Sequence, residues 1–138
     1  MLLTVFCTLI ACDSQPSLIG QYLKNFKEIG GPRCTIIVVL PQYACTACTA
    51  STFNWLKSNN DNSYWVITDD LKYEGLPQVI IESDRDRMVQ HNPFINKAYV
   101  SIFMDDVVIK TKPIGIEDLD DLGQIFLSLK QECGVSVL

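Results

Sequence analysis

The sequence is poor in two kinds of side chain that build many functional sites. It contains one histidine, His91, and its eleven Lys and Arg residues form no dense block. Arg85 and Arg87, for example, alternate with Asp84 and Asp86, and the net charge of the chain is −5. A nucleic-acid-binding surface needs clustered positive charge. We therefore expect no nucleic-acid partner, and the sequence shows no internal repeat or low-complexity segment.

The length and composition fit one folded domain. The chain has 138 residues, of which 48% are apolar, so it can bury a substantial core. Six cysteines are many for a reduced cytosolic domain of this size, but too few for a miniprotein held together by disulfides. The positions of the cysteines are therefore more informative than their number.

The N-terminal stretch over residues 1–11 is apolar and carries no charged side chain, and the chain becomes polar at Asp13. At about 1.5 Å of rise per residue it is too short to span a bilayer as a helix. Its length and composition are typical of the hydrophobic region of a signal peptide. The first basic residue, however, is Lys24, whereas a signal peptide ordinarily begins with Lys or Arg. The alternative is an N-terminal strand or helix of the core.

The segment Leu9-Ile10-Ala11-Cys12 resembles the lipobox of bacterial lipoproteins. In that family the chain is cut before the cysteine, and the new N-terminal cysteine is acylated. The resemblance implies a signal peptide over residues 1–11, a tether over residues 12–16 and a folded domain over residues 17–138. It also implies a lipid on Cys12 that anchors the protein to a membrane of the bacterial envelope, outside the cytoplasm.

The hydrophobic pattern after the tether predicts an α/β domain with a mixed sheet. Residues 34–40 form an unbroken, mostly β-branched apolar run, which is typical of a strand buried on both faces. The other predicted elements are a helix over 17–29, a helix over 45–58, strands over 64–68 and 79–82, a polar irregular stretch over 84–96, a hairpin of strands over 98–104 and 107–111, and a closing helix over about 116–131.

Two cysteines lie where the buried strand passes into a helix, in the motif Cys45-Thr46-Ala47-Cys48. A cysteine at a helix start lies beside unpaired backbone N–H groups and the positive end of the helix dipole, and both favour the thiolate. The second cysteine lies one turn further in, where it can attack a mixed disulfide formed on the first. Cys45 is therefore the candidate nucleophile and Cys48 the candidate resolving thiol.

Three other interpretations of this motif compete with redox chemistry. A structural zinc site needs about four ligands, and His91 is far from the motif in a polar segment. A purely structural disulfide would close a very short loop and stabilise little. Two inert buried thiols are the third alternative. We favour the redox interpretation because of the preceding strand, and we expect neither a metal ion nor a cofactor.

The segment from Ile36 to Cys48, together with the order of elements, resembles the thioredoxin superfamily and, within it, extracytoplasmic thioredoxin-like lipoproteins. The resemblance covers residues 34–130. It implies a thioredoxin-like fold, a mixed sheet flanked by helices, and a thiol–disulfide oxidoreductase that acts on protein or small-molecule thiols and disulfides with a separate electron-transfer partner. It also predicts a substrate rim formed by Pro41 and Tyr43 beside the dithiol, and by Pro93 or Lys97 near the place of the family's cis-proline.

The sequence departs from the family pattern at several helper positions. Ala44 stands where tryptophan is common, and Val39 stands where many members carry a buried acid. Asn96-Lys97 occupies the place of the cis-proline, and Pro93 is several residues early. These departures support a second hypothesis, a thioredoxin-like adaptor lipoprotein that has lost turnover. A peroxidase of the same fold is disfavoured because no arginine is near the dithiol.

Cys34 and Cys133 form a second candidate pair. Cys34 begins the central strand at the end opposite the dithiol, and an antiparallel closing helix would bring Cys133 to the same side. A disulfide is geometrically possible if their Cα atoms come within about 7 Å. Two buried free thiols are the alternative, because cysteine is commonly buried on apolar faces.

Overall fold

The computed structural model describes residues 18–22, 34–59 and 63–134. Residues 18–22 are helical. The later elements are β1 (Cys34–Leu40), α1 (Thr46–Ser58), β2 (Tyr64–Thr68), β3 (Val79–Ile81), α2 (Arg85–Gln90), β4 (Ala98–Met104), β5 (Val107–Ile114) and α3 (Leu122–Glu132), with 3-10 turns at Leu71–Tyr73 and Ile116–Asp121.

One five-stranded sheet organises these elements in the order β3-β2-β1-β4-β5. Strand β1 pairs in parallel with β2, and β2 pairs in parallel with β3. On its other side β1 pairs antiparallel with β4, which forms a hairpin with β5. The α/β class and the mixed sheet predicted from the sequence are confirmed.

Strand β1 is buried because helices cover both faces of the sheet at this strand. Its side chains alternate between two hydrophobic clusters. Ile36 and Val38 pack on the face that carries α1 and α3, and Ile37 and Val39 pack on the face that carries residues 18–22 and α2. This double burial explains the unbroken apolar run in the sequence.

The prediction of an irregular stretch over residues 84–96 is wrong in its first half, which forms α2. The carboxylate of Asp84 accepts hydrogen bonds from the backbone N–H groups of Asp86 and Arg87 at 3.0 and 3.3 Å and so caps the helix. Met88, 1% exposed, is the one buried residue of α2. A single apolar anchor gives no periodicity, so the hydrophobic pattern could not reveal this helix.

The closing segment also differs from the prediction. Strand β5 extends to Ile114 instead of ending at residue 111, and the following turn over Ile116–Asp121 is a 3-10 helix rather than the start of an α-helix. Helix α3 begins at Leu122, and its buried stripe consists of Leu122, Phe126 and Leu129. The 3-10 turn, which follows β5, thereby packs against α1.

The predicted N-terminal features are largely beyond these residues. Of the helix predicted over residues 17–29, the five residues 18–22 are described and helical, with Leu18 and Ile19 buried. The predicted signal peptide, tether and lipid-bearing Cys12 lie outside the described residues. In the described part of the chain, no helix has the length and apolar character needed to cross a membrane.

Candidate functional site

The two motif cysteines lie at the carboxyl end of β1, where the chain enters α1. Cys45 is the N-cap residue of α1, and its Sγ accepts a hydrogen bond from the backbone N–H of Cys48 at 3.3 Å. Their Cα atoms are 5.1 Å apart and the pair is joined as a disulfide. Cys45 is exposed, whereas Cys48 is only 2% exposed. The sulfur of Cys45 can therefore meet a substrate, whereas that of Cys48 is largely shielded from solvent.

The loop that presents Cys45 is held by backbone contacts. The N–H of Ala44 donates to the carbonyl of Pro41 at 3.1 Å, which closes a tight turn. The N–H of Gln42 donates to Oδ1 of Asp69 at 2.7 Å. Asp69 follows β2, and the carboxyl ends of parallel strands lie at one edge of a sheet, so this carboxylate ties the β2 end to the dithiol loop.

Tyr43 connects the dithiol loop to the chain before β4. Its hydroxyl donates to the carbonyl of Met88 at 3.3 Å and accepts from Nδ2 of Asn92 at 2.9 Å. The same amide group of Asn92 donates to the carbonyl of Lys97 at 2.9 Å, and its Oδ1 accepts from the N–H of Phe94. Asn92 therefore shapes the loop and fixes it against Tyr43. Sequence reasoning missed this residue, although an Asn-Pro dipeptide is a turn signal.

A cleft of about 320 Å³ opens beside the two sulfurs. Its floor includes Ala98 and Ile114, which are paired across β4 and β5 and are almost fully buried. The lining also includes the cationic Lys97 and the anionic Glu117. The described residues that line the cleft are Cys45, Cys48, Asn96, Lys97, Ala98, Ile114, Gly115, Ile116 and Glu117.

The four predicted rim residues occupy different positions. Lys97 lines the cleft, whereas Pro41 and Tyr43 shape the loop behind Cys45. Pro93 is exposed in the same loop as Lys97 but is not among the described residues of the cleft wall. The segment that faces the dithiol is thus Asn96-Lys97, and within the described residues no peptide bond is cis.

The loop between α2 and β4 is unusual at Ile95, which has φ = 67° and is 81% exposed. A β-branched residue is disfavoured in the left-handed region, so surrounding contacts must impose this conformation. The N–H of Ile95 donates to the carbonyl of Asn92 at 3.4 Å, and the N–H of Asn96 donates to the carbonyl of Phe94 at 2.8 Å. These bonds set the direction in which Asn96 and Lys97 enter the cleft.

Cys34 and Cys133 are joined by a second disulfide at the opposite end of β1. Their Cα atoms are 5.6 Å apart, and both residues are partly buried against the cluster that contains α1 and α3. Of the two alternatives left open by the sequence, the structure has the disulfide. It ties the start of the central strand to the end of α3, away from the cleft.

A buried carboxylate lies on the other face of the sheet, and sequence reasoning did not identify it. Glu82 is 3% exposed, accepts a hydrogen bond from the hydroxyl of Tyr22, and pairs with Arg87 at 3.3 Å. Burial, followed by the hydrogen bond to Glu82, raises the pKa of Tyr22 to about 12. This cluster joins residues 18–22 to α2, and its members are too far apart in sequence to form a recognisable motif.

No protein-family model matches the chain, and no curated protein is similar to it. Within residues 18–22, 34–59 and 63–134, no group of three or more His, Cys, Asp and Glu side chains is arranged to hold a metal ion.

Proposed function

We propose that the protein is a thiol–disulfide oxidoreductase with a thioredoxin-like fold and that Cys45 and Cys48 are its redox pair. The observation that carries the proposal is the unequal exposure of two cysteines at one helix start. Cys45 is open to a cleft, and Cys48, three residues later, is 2% exposed. This division suits thiol–disulfide exchange, in which one sulfur meets the substrate and a second attacks the mixed disulfide.

The arrangement of the sheet supports the thioredoxin-like part of the proposal. The β1-α1-β2 unit is parallel, the β4-β5 hairpin is antiparallel, and α3 closes the domain on the same face as α1. The dithiol stands at the start of the first helix of this unit, as it does in the family that the sequence resembles. The hairpin supplies the floor of the cleft next to it.

In the proposed reaction, the Cys45 thiolate attacks one sulfur of a substrate disulfide. A Cys45–substrate bond forms, the substrate S–S bond breaks, and the first substrate thiolate leaves with the electron pair. Cys48 then attacks Cys45 Sγ, the Cys45–Cys48 bond forms, and the second substrate thiolate leaves. The substrate is reduced by two electrons and the protein dithiol is oxidised; the reverse sequence oxidises a substrate dithiol.

Two features of Cys45 favour its thiolate. The backbone N–H of Cys48 points at its sulfur at 3.3 Å, and the sulfur lies at the positive end of the dipole of a thirteen-residue helix. The cleft is open, so it can admit an extended protein segment or a small disulfide. An electron-transfer partner, which sets the direction of the reaction, would use the same exposed sulfur.

One observation favours the alternative of a thioredoxin-like adaptor without turnover. Val39, at the position where many members of the family carry a buried acid, is 1% exposed and packs among apolar side chains. It therefore cannot take a proton from the resolving thiol. An adaptor would keep the cleft as a docking site while its dithiol exchanged slowly.

A turnover assay separates these two functions. The reduction of insulin or of a glutathione-linked disulfide should be measured for the wild-type protein, for Cys45→Ser, and for a control in which Cys34 and Cys133 are both serine. The wild-type protein and the control should turn over, and the rate of Cys45→Ser should fall to the background rate. Equal rates for wild type and Cys45→Ser would contradict the oxidoreductase, and a wild-type protein that binds but does not turn over would indicate the adaptor.

We further propose that the domain is tethered outside the cytoplasm by a lipid on Cys12. The support is the lipobox-like sequence Leu9-Ile10-Ala11-Cys12 after an apolar, uncharged stretch. In a bacterial host fed with a labelled fatty acid, the wild-type chain should carry the label and partition with membranes, and Cys12→Ala should do neither. A wild-type chain that remains unlabelled would contradict the tether.

A further inference from the structure

Glu117 is the one carboxylate among the described residues that line the cleft beside the dithiol. It belongs to the 3-10 turn Ile116–Asp121, and it comes from a part of the chain about 70 residues after the motif. No sequence motif links it to the cysteines. The turn reaches them because it follows β5 directly and packs against α1.

The carboxylate of Glu117 is folded back over Gly115. A Cβ atom placed on Gly115 would lie 2.5 Å from both carboxylate oxygens, which is closer than two non-bonded atoms can approach. The backbone of Gly115 has φ = −106°, a value open to any residue, so glycine is not needed there for its conformational freedom. What glycine provides is space for the carboxylate on the wall of the cleft.

Cys48 is the group that needs a proton acceptor. It is 2% exposed, and removal from water disfavours the charged form of a thiol. Its thiolate must nevertheless form when it resolves the mixed disulfide on Cys45. Val39, whose side chain packs on the opposite face of the sheet from α1, offers no acid–base group. Among the described residues that line the cleft together with Cys48, Glu117 is the one side chain that can accept this proton.

We infer that Glu117 is the proton acceptor for Cys48, an inference that rests on the proposed oxidoreductase function. In the resolving step the proton of the Cys48 thiol passes to the Glu117 carboxylate, directly or through one water. The Cys48 electron pair forms the bond to Cys45 Sγ, and the Cys45–substrate bond breaks with its pair on the leaving sulfur. The resulting carboxylic acid then releases its proton to the leaving thiolate or to water.

The other charged groups at this place do not fill the same role. Lys97, which also lines the cleft, is a cation and accepts no proton, although its charge favours thiolates in the cleft. Asp118 follows Glu117, but its Oδ2 accepts a hydrogen bond from the N–H of Gly115 at 2.8 Å and is engaged in the turn. Cys45 is covalently bonded to the substrate during this step.

The test uses the reduced protein and a symmetric aromatic disulfide whose thiolate absorbs visible light. Release of the first thiolate reports attack by Cys45 and depends on reagent concentration. Release of the second reports resolution by Cys48 and does not. In Glu117→Gln the first phase should keep its rate within about twofold, whereas the second should slow by about 100-fold at pH 7, the lower end of general acid–base effects.

The pH profile of the second phase distinguishes a proton acceptor from a merely structural residue. In Glu117→Gln the rate should rise about tenfold per pH unit below the range in which the thiol itself ionises, because solvent must remove the proton. In the wild type the profile should be flatter. An equally steep profile in both proteins would overturn the inference.

Two further variants keep the test independent of folding defects. Gly115→Ala leaves Glu117 in the chain but displaces its carboxylate, and it should slow the second phase selectively. Glu74→Gln removes an exposed carboxylate that is not part of the described cleft wall, and both phases should be unchanged. If wild type itself shows no two-phase release, the proposed function fails. If wild type shows both phases and Glu117→Gln matches it, only the role of Glu117 fails.

Discussion

Replacing both Cys34 and Cys133 by serine removes the cross-link between the start of β1 and the end of α3. These residues are separated by 99 positions in the sequence. Closing a loop of this length in the unfolded chain removes conformational entropy that, in the chain-entropy description, stabilises the native state by about 4.7 kcal/mol at 25 °C. The dithiol Cys45–Cys48 spans only 3 positions, for which the same expression gives about 1.6 kcal/mol.

The two double-serine variants should therefore differ clearly in guanidinium chloride unfolding. With a slope of roughly 3 kcal/mol per molar, loss of the Cys34–Cys133 bond should lower the midpoint by about 1.5 M and raise the slope, because the unfolded chain expands. In the matched variant with Cys45→Ser and Cys48→Ser, the midpoint should fall by less than half of this shift. A midpoint shift below about 0.3 M for the first variant would show that the Cys34–Cys133 bond contributes little to stability, and the opposite order of the two variants would contradict the dependence on loop length.

Three smaller changes test the contacts around the site and on the far face of the sheet. Tyr43→Phe removes the hydroxyl that meets Asn92 and should lower the free energy of unfolding by about 1 kcal/mol, measured in urea; an unchanged midpoint would contradict the bond. Tyr22→Phe tests linkage: the raised pKa of about 12 means that its stabilisation is complete below pH 10 and is lost as pH rises from 10 through 12. Over this pH range the free energy of unfolding of the wild type should fall by about 1 kcal/mol after allowance for solvent exposure. This fall should be absent in Tyr22→Phe, which has no hydroxyl to ionise beside Glu82. Met88→Ala should cost about 3 kcal/mol in urea because Met88 anchors α2 in the core, and a cost below about 1 kcal/mol would mean that the site repacks freely.

The sequence was most informative where one physical cause dominated. Strand β1 was predicted with its observed bounds because burial on both faces selects an unbroken apolar, β-branched run. Helix α2 was missed because a capping aspartate and one buried methionine hold it, and neither produces a period. The 3-10 turn after β5 was merged with α3 because the apolar spacing continues across the boundary between them.

The residues of the candidate site also fall into those that the sequence could predict and those that it could not. Cys45 and Cys48 could be predicted because both lie within four residues at a strand-to-helix junction. Glu117 and Asn92 could not, since each reaches the dithiol loop or its cleft through the pairing of distant strands and through hydrogen bonds to backbone carbonyls. Residues brought together by topology leave no local pattern in the sequence.

The most direct test of the central claim is to trap the covalent intermediate on Cys48→Ser. With the resolving thiol removed, the exposed Cys45 should react with a substrate disulfide and stop at the mixed disulfide. Mass spectrometry of the non-reduced digest should then show one substrate adduct, on Cys45, while the wild-type protein releases it and returns to the Cys45–Cys48 disulfide. This result is expected if Cys45 is the nucleophile and Cys48 the resolving thiol. No adduct on Cys45, or an adduct that persists equally in the wild type, would contradict it.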